Sequence, residues 1–137
     1  MKGLLAFDSK KNRFNMKFAV NKEERYVKIE PAEENLTSMF APQLKTEFVL
    51  MNNEGFRNII CDLITVKYVD SSGLSSFLVG DRICNEKGGK FVLCNISDSL
   101  KQLLALSQLD SILNVTPTLA EAVDLVLLHE LERDLRD

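Results

Sequence analysis

Tyr68-Val69-Asp70-Ser71-Ser72-Gly73-Leu74, near the middle of the chain, leads a strand-like run into a helix-like one. Just upstream, Asn58-Ile59-Ile60-Cys61-Asp62-Leu63 is almost continuously apolar, the pattern of a strand covered on both faces. Downstream, Leu74, Phe77 and Leu78 recur at helical spacing. Asp70 to Gly73 therefore read as a helix start, with small polar residues able to cap and then a turn free of bulk. A helix start leaves backbone N–H groups unpaired and carries the positive end of the helix dipole. A serine placed there presents its hydroxyl to solvent, near an anion-favouring site and beside a carboxylate. The same cluster also serves as an ordinary helix cap, the commoner use of such residues.

Working outward, Lys17-Phe18-Ala19-Val20 and Arg25-Tyr26-Val27-Lys28-Ile29-Glu30 are short β-rich runs joined by a polar turn, which predicts an antiparallel hairpin ended by Pro31. Thr37 or Ser38 is placed to cap a helix bearing Phe40, Ala41, Leu44, Phe48 and Met51 on one face. Pro42 is compatible with that helix because it falls in the first turn. After Asp70 the second helix is expected from about Ser72 to Glu86, with Leu74, Phe77, Leu78 and Cys84 as its core side. Val79 and Ile83 fall nearly opposite, in line with Ser72 and Ser76. That placement fits a partner-facing pair, or a pair packed beneath the neighbouring helix. Asp81 lies in the middle of the expected core side, and the helical wheel offers no reason for it.

Beyond the turn at Gly88-Gly89, Lys90 to Asn95 reads as another buried strand. Ser97 or Asp98 caps a helix with Leu100, Leu103, Leu104 and Leu106, and Ile112 to Val115 reads as a short edge strand. Thr118-Leu119-Ala120-Glu121 is a capping box. Its helix is expected to pass Leu131 and then fray where it becomes charged. Strands alternating with helices imply parallel pairing. The expected fold is α/β: a mixed sheet of four to five strands with helices packed mainly on it. Residues 1–15 have no clear period and a basic bias, and they read as an extension outside the domain formed by residues 16–137.

Composition narrows the function. Apolar residues make up 45% of the 137, enough for one domain with a real core. A net charge of −3 argues against general nucleic-acid binding. No apolar run approaches the roughly 20 residues of a membrane span, and no secretory signal is evident, so a cytoplasmic location is expected. Cys61, Cys84 and Cys94 lack metal-ligand spacing, and Cys61 and Cys94 sit in apolar strands as small hydrophobes. No metal or cofactor is expected. A serine hydrolase needs a base for the hydroxyl proton, but His129, the single histidine, lies far along the chain from Ser71 and the G-x-S-x-G elbow is missing. Gly88-Gly89 precedes a strand rather than a helix and cradles no phosphate.

Asp70-Ser71-Ser72-Gly73-Leu74, between an apolar strand and a helix that ends at Gly88-Gly89 before Lys90 to Asn95, resembles the STAS domain of bacterial anti-sigma-factor antagonists. The resemblance spans about Phe18 to Leu128. It implies that Ser71, directly after the aspartate of the motif, is phosphorylated by a partner kinase. It implies a switch: the unphosphorylated protein binds an anti-sigma factor with serine-kinase activity and frees a sigma factor, phosphorylation ends binding, and a serine phosphatase resets it. Asp70, Ser72, Gly73, Thr37, Ser76, Val79 and Ile83 are the expected partner-binding residues, with Ser72 in a capping role. The family's leucine-aspartate pair after the second strand is Leu36-Thr37 here, which removes a charge from the recognition surface. On this reading the protein is a substrate of enzymes rather than an enzyme. A different class, a STAS subunit or scaffold that is never phosphorylated, for instance one bound to a transport ATPase, is the alternative; serine hydrolysis stands third.

Overall fold

The computed structural model describes residues 17–136, so the expected extension over residues 1–15 and the boundary at Met16 lie outside the described residues. In chain order these form strands β1 (Phe18–Lys22), β2 (Val27–Pro31) and β3 (Asn35–Leu36), helix α1 (Ala41–Asn53), strands β4 (Ile59–Asp62) and β5 (Tyr68–Val69), and helix α2 (Ser71–Glu86). Strand β6 (Phe91–Cys94), helix α3 (Asp98–Leu106), a 3₁₀ turn at Leu109–Ser111, strand β7 (Asn114–Thr116) and helix α4 (Leu119–Arg136) follow.

The main sheet has five strands in the order β1-β2-β4-β6-β7. The predicted hairpin is present: β1 and β2 are antiparallel, with Phe18 opposite Pro31 and Lys22 opposite Val27. The other pairs are parallel, with Val27 opposite Ile59, Ile59 opposite Phe91 and Val92 opposite Asn114. Because side chains alternate along a strand, β4 and β6 feed two cores. Ile59, Cys61, Phe91 and Leu93 join Leu44 and Phe48 of α1, Phe77 and Cys84 of α2, and Leu100 of α3. Ile60, Val92 and Cys94 meet Ala122 and Val126 of α4 on the opposite face. Each large side chain so buried stabilises the fold by about 1.5–3 kcal/mol relative to exposure. Phe48 and Phe91 meet edge to face with centroids 5.0 Å apart, which ties α1 to the centre of the sheet.

A second, two-stranded sheet was not evident in the sequence. β3 and β5 pair in parallel, Asn35 opposite Tyr68 and Leu36 opposite Val69. Two residues each are too few for a period to register, yet this clip brings the entry of α1 beside the entry of α2.

Four local expectations are corrected. The N-cap of α1 is Phe40, without a side-chain bond, and neither Thr37 nor Ser38 caps it. Instead the Thr37 carbonyl accepts the N–H groups of Phe40 (3.0 Å) and Ala41 (2.8 Å), inserting a turn before the helix. The edge strand begins at Asn114 rather than Ile112, because the N–H groups of Ile112 and Leu113 close the 3₁₀ turn onto the Leu109 carbonyl. The capping box at Thr118 is half formed. Its Oγ1 accepts the Glu121 N–H at 3.2 Å, while its hydroxyl donates to Glu121 Oε1 at 2.9 Å. Finally, α4 stays helical to Arg136. Glu130 holds it, accepting from Arg57 Nη2 (2.7 Å) and Nε (3.0 Å), Asn58 Nδ2 (2.9 Å) and Arg25 Nη1 (3.2 Å). The Arg57 hydrogen bonds chiefly, with Asn58 and Arg25 adding, overcome burial and hold the Glu130 carboxyl down at about 2.

Candidate functional site

Asp70 is the N-cap of α2, in extended backbone conformation. Its Oδ1 accepts the N–H groups of Ser72 (2.9 Å) and Gly73 (3.1 Å), while Oδ2 accepts the Ser38 N–H at 3.2 Å. The Asp70 N–H in turn donates to the Leu36 carbonyl at 3.3 Å. One carboxylate thus joins both helix entries, and the capping role expected of Ser72 belongs to Asp70. With those N–H groups occupied, Ser71 stands at the first helical position and is exposed.

The wall beside Ser71 comes from α1. A depression of about 320 Å³ between the first turns of the two helices is lined by Ala41, Pro42, Lys45, Ser71, Ser72 and Ser75. Three hydroxyl-bearing side chains and one lysine therefore surround a shallow space at the start of α2. Thr37, half-buried, lies one residue past the β3–β5 pair and so beside the start of this site.

The rest of α2 is turned differently from the wheel. Its buried stripe is Gly73, Ser76, Phe77, Gly80, Asp81 and Cys84, while Leu74 is half-buried and Leu78 is 37% exposed. Small residues decide this. A Cβ on Gly80 would press into the Phe91 ring (2.7 Å from Cδ1), and one on Gly73 would lie 2.7 Å from the Leu36 carbonyl oxygen. The helix can approach the sheet closely only along that stripe. Two expected partner residues are therefore interior: Ser76 is fully buried with its hydroxyl donating to the Gly73 carbonyl at 2.6 Å, and Gly73 itself is buried. Ile83 packs against the larger core, whereas Val79 is half-buried and stands outside both cores. The outward stripe is Ser71, Ser75, Leu78 and Arg82. Asp81 now has an account: it sits at the stripe's edge, where Asn85 Nδ2 donates to it at 3.1 Å and burial pushes its carboxyl up.

Other chemistry finds no support around Ser71. His129 Nε2 lies 2.9 Å from the Gly88 carbonyl, beyond the far end of α2. At about 1.5 Å per residue, the sixteen residues of α2 separate Ser71 from that end by roughly 24 Å. His129 is thus no base for the Ser71 hydroxyl. Gly88, at φ 76°, forms the turn into β6, and its carbonyl also accepts from Arg133 Nη1 at 3.1 Å. All three cysteines are free and buried, and burial raises each thiol, Cys84 and Cys94 to about 12. Among the described residues no cluster of His, Cys, Asp and Glu could hold a metal ion, and no helix is long and apolar enough to cross a membrane.

Comparison with known proteins bears on this geometry. A family model described as the STAS domain matches residues 12–122. An anti-sigma-B factor antagonist of Staphylococcus aureus is 23% identical over 101 residues, covering 74% of this chain and 93% of that protein. The crystal structure of a candidate anti-sigma factor antagonist from Thermotoga maritima superposes with a TM-score of 0.75 at 26% identity, over 80% of this chain and 93% of that one. The phosphorylated form of the Bacillus cell-fate determinant SpoIIAA superposes with a TM-score of 0.62 at 22% identity, over 80% of this chain and 99% of that one.

Proposed function

The chain belongs to the STAS domain family, and from that premise we propose that it is an anti-sigma-factor antagonist switched by phosphorylation of Ser71. The observation that carries the reading is the exposure of Ser71 at the first position of α2, with the helix cap supplied by Asp70. Among the described residues nothing engages the Ser71 hydroxyl, which leaves it free to react. Relatives of both kinds, by sequence and by structure, are named as antagonists, and one is solved in a phosphorylated form.

The physical consequences differ inside and outside the molecule. Phosphorylation adds about −1.5 to −2 charges near neutral pH. Within the chain the positive end of α2 tolerates that charge, so the fold survives. At an interface built against a neutral hydroxyl, the phosphate brings bulk and charge next to Asp70, and binding weakens. The partner is an anti-sigma factor with serine-kinase activity, and a serine phosphatase returns the protein to its binding form. Its role is regulatory, with Ser71 the phosphate acceptor of a partner kinase and not a catalytic nucleophile of this chain.

Incubation with a cognate kinase, followed by intact mass and peptide mapping, tests the reading. One phosphate on Ser71 is expected, with none on Ser71→Ala. Ser71→Asp should bind the partner weakly and melt like the wild type. Phosphate on Ser72 alone, or tight binding by Ser71→Asp, would overturn the switch. A chain that no kinase modifies but that copurifies with a larger complex would favour a purely structural STAS subunit.

A further inference from the structure

We propose that Lys45 receives the phosphate of Ser71 within the same chain, so that the modified site is an ordered ion pair across the α1–α2 seam. The proposal deepens the switch just described and rests on Ser71 being the phosphorylated residue. Lys45 lies on the first turns of α1 and lines the same depression as Ser71, Ser72 and Ser75. It is the one charged side chain among those lining residues. It is half-buried, and among the described residues it pairs with no carboxylate.

Asp70, the acidic residue next to Ser71, does not pair with it: its oxygens accept the N–H groups of Ser72, Gly73 and Ser38. The cation is thus uncommitted beside the hydroxyl that gains the charge. Lysine is a compact charge on a flexible four-carbon stem and adjusts to a phosphate without a fixed fork. The phosphate is tethered to Ser71, so its effective concentration at Lys45 exceeds that of any free anion. The hydroxyls of Ser72 and Ser75 are placed to donate to remaining phosphate oxygens. Capture would also withdraw Lys45 from any acidic group of a partner, adding to the effect of the new negative charge.

The test installs phosphoserine at position 71 during translation, which needs no kinase, and follows its ³¹P resonance through a pH titration. A neighbouring cation favours the dianion, so the second phosphate pKa of Lys45→Met should lie above that of the wild type by about half a unit or more. Lys45→Arg should keep the low value, and raised salt should shrink the difference. Asp70 is present in every variant and cancels. Should Lys45→Met fail to give a wild-type melt, Lys45→Gln replaces it. Superimposable titration curves would overturn the proposal, as would an effect of Lys45→Met only on the rate of phosphorylation by a kinase, which would assign the lysine to that enzyme's nucleotide. Partner affinity measured on the same phosphoproteins separates the two ideas. A Lys45-dependent pKa with unchanged affinity sinks the switch alone. A Lys45-independent pKa with lost affinity sinks this proposal alone.

Discussion

At Asp70 one carboxylate accepts three N–H groups, two from the first turn of α2 and one from Ser38 ahead of α1. Losing a helix cap costs about 0.5–2 kcal/mol, and the orphaned Ser38 N–H faces solvent and adds little. Asp70→Ala should therefore lower unfolding stability by about 1–2 kcal/mol. Asp70→Asn, which keeps an accepting oxygen, should lose less. Ser72→Ala should fall within about 0.5 kcal/mol of wild type, since Ser72 caps nothing. Urea unfolding of the three variants checks the order; a larger loss for Ser72→Ala than for Asp70→Ala would reassign the cap.

The two faces of α2 make opposite demands. Along its inner stripe Gly80 lies against the Phe91 ring, and Phe91 is wedged in turn against Phe48. Gly80→Val should cost about 1–3 kcal/mol through overpacking, seen as a lower urea midpoint. Ile83 and Val79 were equivalent on the wheel but are not in the fold. Ile83→Asp puts a charge against the larger core and should cost roughly 1–3 kcal/mol, while Val79→Asp should retain a cooperative melt near that of wild type. Loss of partner binding by Val79→Asp with an intact melt would make that residue part of the interface. Equal destabilisation by both substitutions would mean that α2 is rotated from the position described.

Across the whole molecule, α4 closes the second face of the sheet and is fastened at its end by Glu130. Its side chain is 3% exposed, with Arg57 and Arg25 around it. The folded carboxyl titrates near 2, below the ordinary carboxylate range, so Glu130 contributes stability above that ordinary range and loses it as pH falls toward 2. The contribution is on the order of 2 kcal/mol after allowance for solvent around the arginines. Urea midpoints of the wild type should fall more steeply between about pH 5 and pH 2 than those of Glu130→Gln, which should be weaker at neutral pH. Parallel pH profiles for the two proteins would show that the cluster contributes nothing. The buried thiols predict a second whole-molecule behaviour: an aqueous thiol reagent should label Cys61, Cys84 and Cys94 only as the protein unfolds.

Order of the helices and of the main-sheet strands, the hairpin, the buried central strands and the turn into the helix carrying Ser71 were legible in the sequence, because each is written in local periodicity and local cap chemistry. The motif's own residues also announced where a hydroxyl would stand in solvent. What only the tertiary structure decided are relations between segments distant in the chain. Pairing of Leu36 with Val69 sets the Thr37 turn beside Asp70, and no two-residue strand leaves a period to read. The inner face of α2 follows Gly73, Ser76 and Gly80 rather than its leucines, since close packing on Phe91 rewards missing side chains, which a hydrophobicity pattern counts as nothing. The last helix was expected to fray past Leu131, and only the fold brings Arg57 and Asn58, just ahead of β4, onto the Glu130 carboxylate that holds it. Lys45 follows the same rule: a lone lysine on a helix acquires meaning only from the serine that lines the same depression in the fold.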